Sequence, residues 1–161
     1  MKHIEIIDLP DGLRELVGEC ELTGRKTAFD RNGRTAAVLV SWDEYLALSE
    51  TIDIARDPRI IATLRKSEAE AERGAIEQPV EELARIRIAR HQAAVLFDPE
   101  ISAPLREALA KIDDDPITGA PLFEPLRGIW SHRSGSLRIV YRIVAEARHI
   151  LILAVAKVEP E

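Results

Sequence analysis

The chain has 161 residues, 46% of them hydrophobic and 31% charged, and carries a formal net charge of −6. That length suits one ordinary domain or two small ones, and the composition is globular rather than disordered or collagenous. The acidic balance excludes bulk attraction to nucleic acid: residues 1–90 sum to −4 and residues 91–161 to −2, so any such contact must come from locally clustered arginines.

The longest apolar runs, such as residues 150–156, are far shorter than the ~20 residues a membrane helix needs. The opening MKHIEIID has acids where an export signal would be apolar, so a cytoplasmic protein with no membrane partner is expected. The single Cys20 permits no internal disulfide and reads as a buried filler on a helix. Four scattered histidines and one cysteine give no metal-ligand spacing, so neither metal nor cofactor is expected.

Residues 3–8 alternate and predict a short strand. Pro10 then opens a helix whose Leu13, Leu16, Val17 and Cys20 share one face, with Gly24 as its stop. Asn32-Gly33 is a strong hairpin signal, since a type I′ turn needs two residues at positive φ; residues 27–31 and 34–40 become its strands. Ser41 and Glu44 have capping-box spacing and start a helix bearing Tyr45, Leu46, Leu48 and Ile52.

Asp57-Pro58 starts another helix as N-cap and first helical residue, with Ile60, Ile61 and Leu64 on one side. Its second half, SEAEAERG, has no apolar stripe beyond alanine and is expected to project into solvent or lie across another element. Gln78-Pro79 predicts one more helix, with Val80, Leu83 and Ile86 as a thin stripe, although residues 86–90 fit helix and strand templates alike.

After Asp98-Pro99 a helix carries Leu105, Ala108, Leu109 and Ile112, with Pro104 confined to its first turn, and DDDPITGAP breaks it. Residues 129–133, 137–144 and 149–158 read as strands joined by short turns, hence an antiparallel meander. The expected class is α/β (α+β), as two small cores joined by helices that cannot bury themselves.

Two stretches carry a resemblance. DRNGRTAAVLVSWDEYLALSETIDIARDP, within residues 3–90, resembles the Phd/YefM antitoxin family. DDDPITGAPLFEPLRGIWSHRSGSLRIVYRI, within residues 92–158, resembles the RelE/ParE toxin superfamily through its Asp-Pro break, Gly-x-x-Leu loop and arginine-bearing hairpin. The chain thus looks like a fused type II toxin–antitoxin pair. The resemblance implies a dimerisation and DNA-binding domain at 1–56, a toxin-covering helical arm at 57–90 and a toxin domain at 91–161. It also implies a homodimer through the N-terminal domain, operator DNA as a partner, and autorepression. The toxin half would cut messenger RNA on the ribosome if RelE-like, or poison gyrase if ParE-like. The antitoxin half would cover it in cis or by domain swapping.

The candidate chemistry is metal-independent RNA cleavage, which needs cationic groups for the phosphorane; arginine suits that task because its fork matches phosphate oxygens. Arg138 and Arg142 share a strand face, Arg133 lies across the turn, and by resemblance Arg133 and Arg138 match the family's hairpin arginines. His132 is a candidate acid or base and Lys157 a further phosphate contact. A solvated strand face, or salt bridges to Glu68, Glu70, Glu72, Glu81 and Glu82 of the upstream helices, would account for the same arginines. Arg14, Arg25, Lys26, Arg31 and Arg34 cluster near the first helix and hairpin as candidate DNA contacts. Ile60, Ile61, Leu64, Val80, Leu83 and Ile86 are the candidate toxin-covering residues. The ending AKVEPE is acidic and lacks the family's terminal tyrosine, which leaves two alternatives open: an autorepressor with a dead toxin-like domain, or an interaction protein that sequesters a partner toxin or antitoxin.

Overall fold

The computed structural model describes residues 1–159, so Pro160 and Glu161 of the acidic ending lie outside the described residues. The chain divides into two compact units, residues 1–46 and the residues from Ala47 onward. The α+β class holds, with helices and sheets in one chain.

The first unit contains helix α1 (Asp11–Thr23), strands β1 (Thr27–Arg31) and β2 (Arg34–Leu39), and the start of α2 (Trp42–Arg56), which runs on into the second unit. Gly24 ends α1 at φ 70°, donating its amide to the Cys20 carbonyl. Asn32 and Gly33 sit at φ 52° and 75°, as the I′ turn requires. Ser41 Oγ accepts from the Glu44 amide at 3.2 Å, so the cap forms. Residues 3–8 do not form a strand. They close into a 3-10 turn, Ile6–Asp8, because Arg14 Nη2 takes the Ile7 and Leu9 carbonyls at 3.1 and 3.0 Å. Of residues 1–46, Cys20 alone is buried, and the hairpin is open on both faces.

The second unit is built on one six-stranded sheet. Its strands are β3 (Ile76–Glu77), β4 (Ile86–Ala89), β5 (Ala120–Pro121), β6 (Trp130–Ser134), β7 (Leu137–Val144) and β8 (His149–Lys157), in the order β3-β4-β8-β7-β6-β5. The meander β6-β7-β8 is antiparallel as expected, while β4 joins β8 in parallel, Ile86 opposite Ile150. Helices α3 (Pro58–Glu72) and α4 (Ser102–Asp114) complete the unit. Asp57 caps α3, accepting from the Arg59 and Ile60 amides at 2.9 and 3.4 Å, with Pro58 where its missing N–H costs nothing.

Both faces of the sheet are buried. On one side Leu105, Leu109 and Ile112 of α4 pack with Leu137, Ile139 and Tyr141 of β7. On the other, Ile54 of α2 and Ile60 and Leu64 of α3 pack with Val140, Leu151 and Leu153. Both buried clusters therefore lie in the second unit, one on each face of its sheet. Helices expected to lack a burial surface find it there.

Of two local expectations, one fails and the other is met by its second alternative. No helix forms over Val80, Leu83 and Ile86: residues 81–85 run through turns, and β4, from Ile86, spends its backbone bonds on β8 and β3. Ile86 is buried on the α4 side with Leu83 against it, opposite the face that Ile60, Ile61 and Leu64 cover, and Val80 is only half-buried. The SEAEAERG stretch lies across the sheet rather than projecting into solvent. Ser67 is fully buried, its Oγ donating to the Leu153 carbonyl at 2.5 Å, and Glu70 is buried against His91. A bulge supplies the Ser67 bond: Val140 pairs Ala154 and Tyr141 pairs Ile152, which skips Leu153 and frees its carbonyl.

Candidate functional site

Strand pairing places Arg133 opposite Arg138 and Ser131 opposite Val140, so Ser131, Arg133 and Arg138 share the α2/α3 side of the sheet. Arg138 is 4% exposed, too buried to remain unpaired. The partner is Glu50 on α2, itself 6% exposed. Glu50 Oε1 meets Arg138 Nη2 at 3.0 Å and Arg133 Nε at 2.9 Å. Glu50 Oε2 meets Arg138 Nε at 2.8 Å and accepts from Ser131 Oγ at 2.6 Å. Asp53, one helical turn further, takes Arg138 Nη2 at 3.1 Å from a half-exposed position. The solvated-face reading of these arginines does not survive.

Of the carboxylates expected over the arginines, Glu68 alone takes one. Glu68 pairs with Arg142 on the same face. Glu70 bonds the His91 amide and Nδ1 at 3.1 and 2.9 Å, and those bonds hold its carboxyl below the usual range. Glu72, Glu81 and Glu82 are exposed. Glu50 and Asp53 were missed because α2 was read only for its apolar residues. Its spacing did hold the signal: Ala47, Glu50, Thr51 and Ile54 repeat at helical intervals, and all four are buried.

His132 lies on the other side of the sheet, opposite Ile139 and on the same face as Trp130. It cannot share a reacting atom with Arg133 and Arg138. Burial lowers its pKa, with Lys111 of α4 adding to the effect against an opposing bond to Thr118. Lys157 ends β8 in an ion pair with Glu100 at 2.6 Å, which raises its pKa. It lines, with Arg59, Gln92 and Arg138, a cavity of about 360 Å³ between the start of α3 and the end of β8.

In the first unit Arg14 is occupied by the 3-10 turn and by Asp11, Arg25 by Glu19 at 2.8 Å, and Lys26 by Glu44 at 2.6 Å. Arg31 and Arg34 face each other across the hairpin turn, exposed and without an ion pair among the described residues. The five candidate DNA contacts are thus three engaged residues and one exposed pair. Among the described residues no His, Cys, Asp and Glu cluster could hold a metal, and no helix is long and apolar enough to cross a membrane.

No family model matches the sequence. Antitoxin RelB of Mycobacterium tuberculosis (strain ATCC 25618 / H37Rv) is 31% identical over 74 residues, which is 46% of this chain and 83% of the relative. The chain belongs to the RelB antitoxin family. This RelB-family chain is therefore a toxin–antitoxin-related protein, and 54% of its length lies outside that match. The crystal structure of the toxin–antitoxin complex RelBE2 from Mycobacterium tuberculosis matches with a TM-score of 0.41 and 29% identity, over 45% of this chain and 94% of that one.

Proposed function

We propose that the chain is a type II toxin–antitoxin fusion. Its Phd/YefM-like part, residues 1–56, continues into a covering arm at 57–90, and a RelE-like toxin domain follows at 91–161, with β4 added to that domain's sheet. The single observation that carries this reading is the pairing of Arg133 and Arg138, the hairpin arginines of the toxin-like sheet, with Glu50 of the antitoxin-like part, Arg138 being buried and Arg133 partly so. A covered guanidinium pair cannot reach a scissile phosphate, so the chain as folded is a silenced ribosome-dependent messenger endonuclease. Arg138 would bind the phosphate and Arg133 support it, while the face change removes His132 from that role.

The first unit supports the remaining part of the proposal. A two-stranded hairpin is marginal alone, and one with its apolar Phe29 and Val38 exposed calls for a second copy. A homodimer would present Arg31 and Arg34 twice, suited to phosphates of two operator half-sites.

The test is growth on expression of residues 84–161, a boundary chosen so that β4 keeps its pairing with β8. Arrest that the whole chain does not produce, and that Arg138→Ala abolishes, carries the reading. Messenger cleavage against gyrase inhibition in the arrested cells separates the two targets. No arrest, with salt-dependent binding of the whole chain to palindromic DNA, would establish the autorepressor with a dead toxin-like domain instead.

A further inference from the structure

We propose that Ser131, Arg133 and Arg138 form a three-residue oxyanion cradle, in which Ser131 is a positioning ligand, and that the Glu50 carboxylate is its built-in occupant, standing in for two phosphoryl oxygens. This deepens the reading of the sheet face as a phosphodiester site and rests on it. Glu50 is contacted on both oxygens: Arg138 Nη2 donates to one and Ser131 Oγ to the other, while Arg133 Nε and Arg138 Nε approach the same two oxygens at ion-pair distance without hydrogen-bond geometry. Arginine's planar fork grips carboxylate and phosphate oxygens with the same paired geometry. A hydroxyl donor beside it fixes the second oxygen without adding charge.

The burial pattern fits a site better than a strut. A buried ion pair gives little net stability over an apolar pair of similar volume, so two guanidiniums gathered on one carboxylate are a poor way to hold a helix to a sheet. They are a good way to hold an oxyanion. Ser131 is 3% exposed and aims its hydroxyl at Glu50, although sequence reading gives it no role. The arrangement also has an approach. Asp53 meets Arg138 from a half-exposed position, and Arg138 also lines the cavity shared by Arg59, Gln92 and Lys157. An incoming phosphate would compete first with the half-exposed Asp53, then with Glu50.

The experiment uses the full chain carrying Glu50→Gln, which keeps the side-chain shape and removes the charge, titrated with inorganic phosphate against chloride at equal ionic strength. Binding is read by calorimetry and by thermal midpoint. The expected result is saturable phosphate binding by the variant, weakened about tenfold or more by adding Ser131→Ala, and none by the wild-type chain. If Glu50→Gln is unfolded in chloride, recovery of its far-ultraviolet dichroism by phosphate is the supporting outcome, and failure to recover overturns the proposal. Equal binding by wild type and variant, or binding indifferent to Ser131→Ala, also overturns it. Phosphate binding without growth arrest by residues 84–161 would leave the cradle standing and remove the nuclease. Arrest with no Ser131-dependent binding would do the reverse.

Discussion

The hydroxyl of Ser67 and the carbonyl of Leu153, 86 residues apart in sequence, meet at 2.5 Å inside the protein. Neither group has a regular partner: Ser67 stands between Leu64 and Glu70 on the buried face of α3, and Leu153 is skipped by the β7–β8 bulge. Each satisfies the other, and the bond pins α3 to the sheet.

Ser67→Ala removes the donor and leaves the Leu153 carbonyl buried without it. The expected cost is about 1–3 kcal/mol. Urea unfolding with an unchanged denaturant slope and a lower midpoint is the measurement, and a midpoint equal to wild type would mean that the carbonyl finds another donor.

Glu50→Ala strips two guanidiniums of their shared carboxylate. Its expected cost is about 3–5 kcal/mol, because uncompensated charge then stays buried. Replacing Glu50 by Leu and Arg138 by Met together should regain most of that loss. A double-mutant cycle by urea denaturation gives the coupling, and purely additive losses would show that the two residues do not act as a pair.

Gly119 has no room for a side chain. A β-carbon there would lie 2.7 Å from Tyr141 Oη and 2.8 Å from the Ser131 carbonyl. Tyr141 cannot swing away, since it is fully buried and donates to the Pro116 carbonyl at 2.8 Å, with burial pushing its pKa up to about 12. Gly119→Ala should cost about 1–3 kcal/mol by overpacking, and the Gly119→Ala, Tyr141→Phe double variant should recover part of it. Thermal midpoints decide whether relief of the hydroxyl clash is what matters.

Stability should fall in two steps as pH is lowered. Burial depresses the folded pKa of His132 and, less enclosed and next to Arg87, of His149. Below the unfolded value of 6.5 the unfolded chain takes up protons that the folded chain refuses, so stability present above that pH is lost as pH falls through the folded values. A second loss comes below 4.5, where protonation releases Glu70 from His91. Urea midpoints across this range, with His132→Gln flattening the upper step and Glu70→Gln the lower, test both. A pH-independent midpoint above 5 would contradict the first.

The exposed apolar residues of the first unit lead to a concentration-dependent species. Sedimentation should give a dimer, and Val38→Glu, at an exposed hairpin position, should shift it toward monomer without unfolding the second unit. A wild-type chain that is monomeric at tens of micromolar would remove the homodimer from the proposal.

Local chemistry was readable where a residue acts on its own neighbours. The Asn32-Gly33 turn, the Asp57 and Ser41 caps and the α4 face at Leu105, Ala108, Leu109 and Ile112 all formed where their spacing put them. So did the meander that sets Arg133 beside Arg138. Legibility failed where a residue's fate depends on a distant segment. Residues 78–86 carry a weak helical stripe, and β8 recruits their end as a parallel strand. Glu70 and Ser67 look solvated by pattern, and are buried because His91 and Leu153 supply their bonds.

The sequence by itself determined the two periodicities, the turns and the identity of the arginines, because these depend on bonds and sterics spanning a few residues. Tertiary structure alone decided that the arginine face would be closed, that Glu50 of α2 would take Arg133 and Arg138 while Glu68 of α3 took Arg142, and that Ser131 would join them while His132 would not. Those outcomes turn on which segments meet across the sheet. Burying a guanidinium demands an opposite charge close by, but not one at any particular sequence distance.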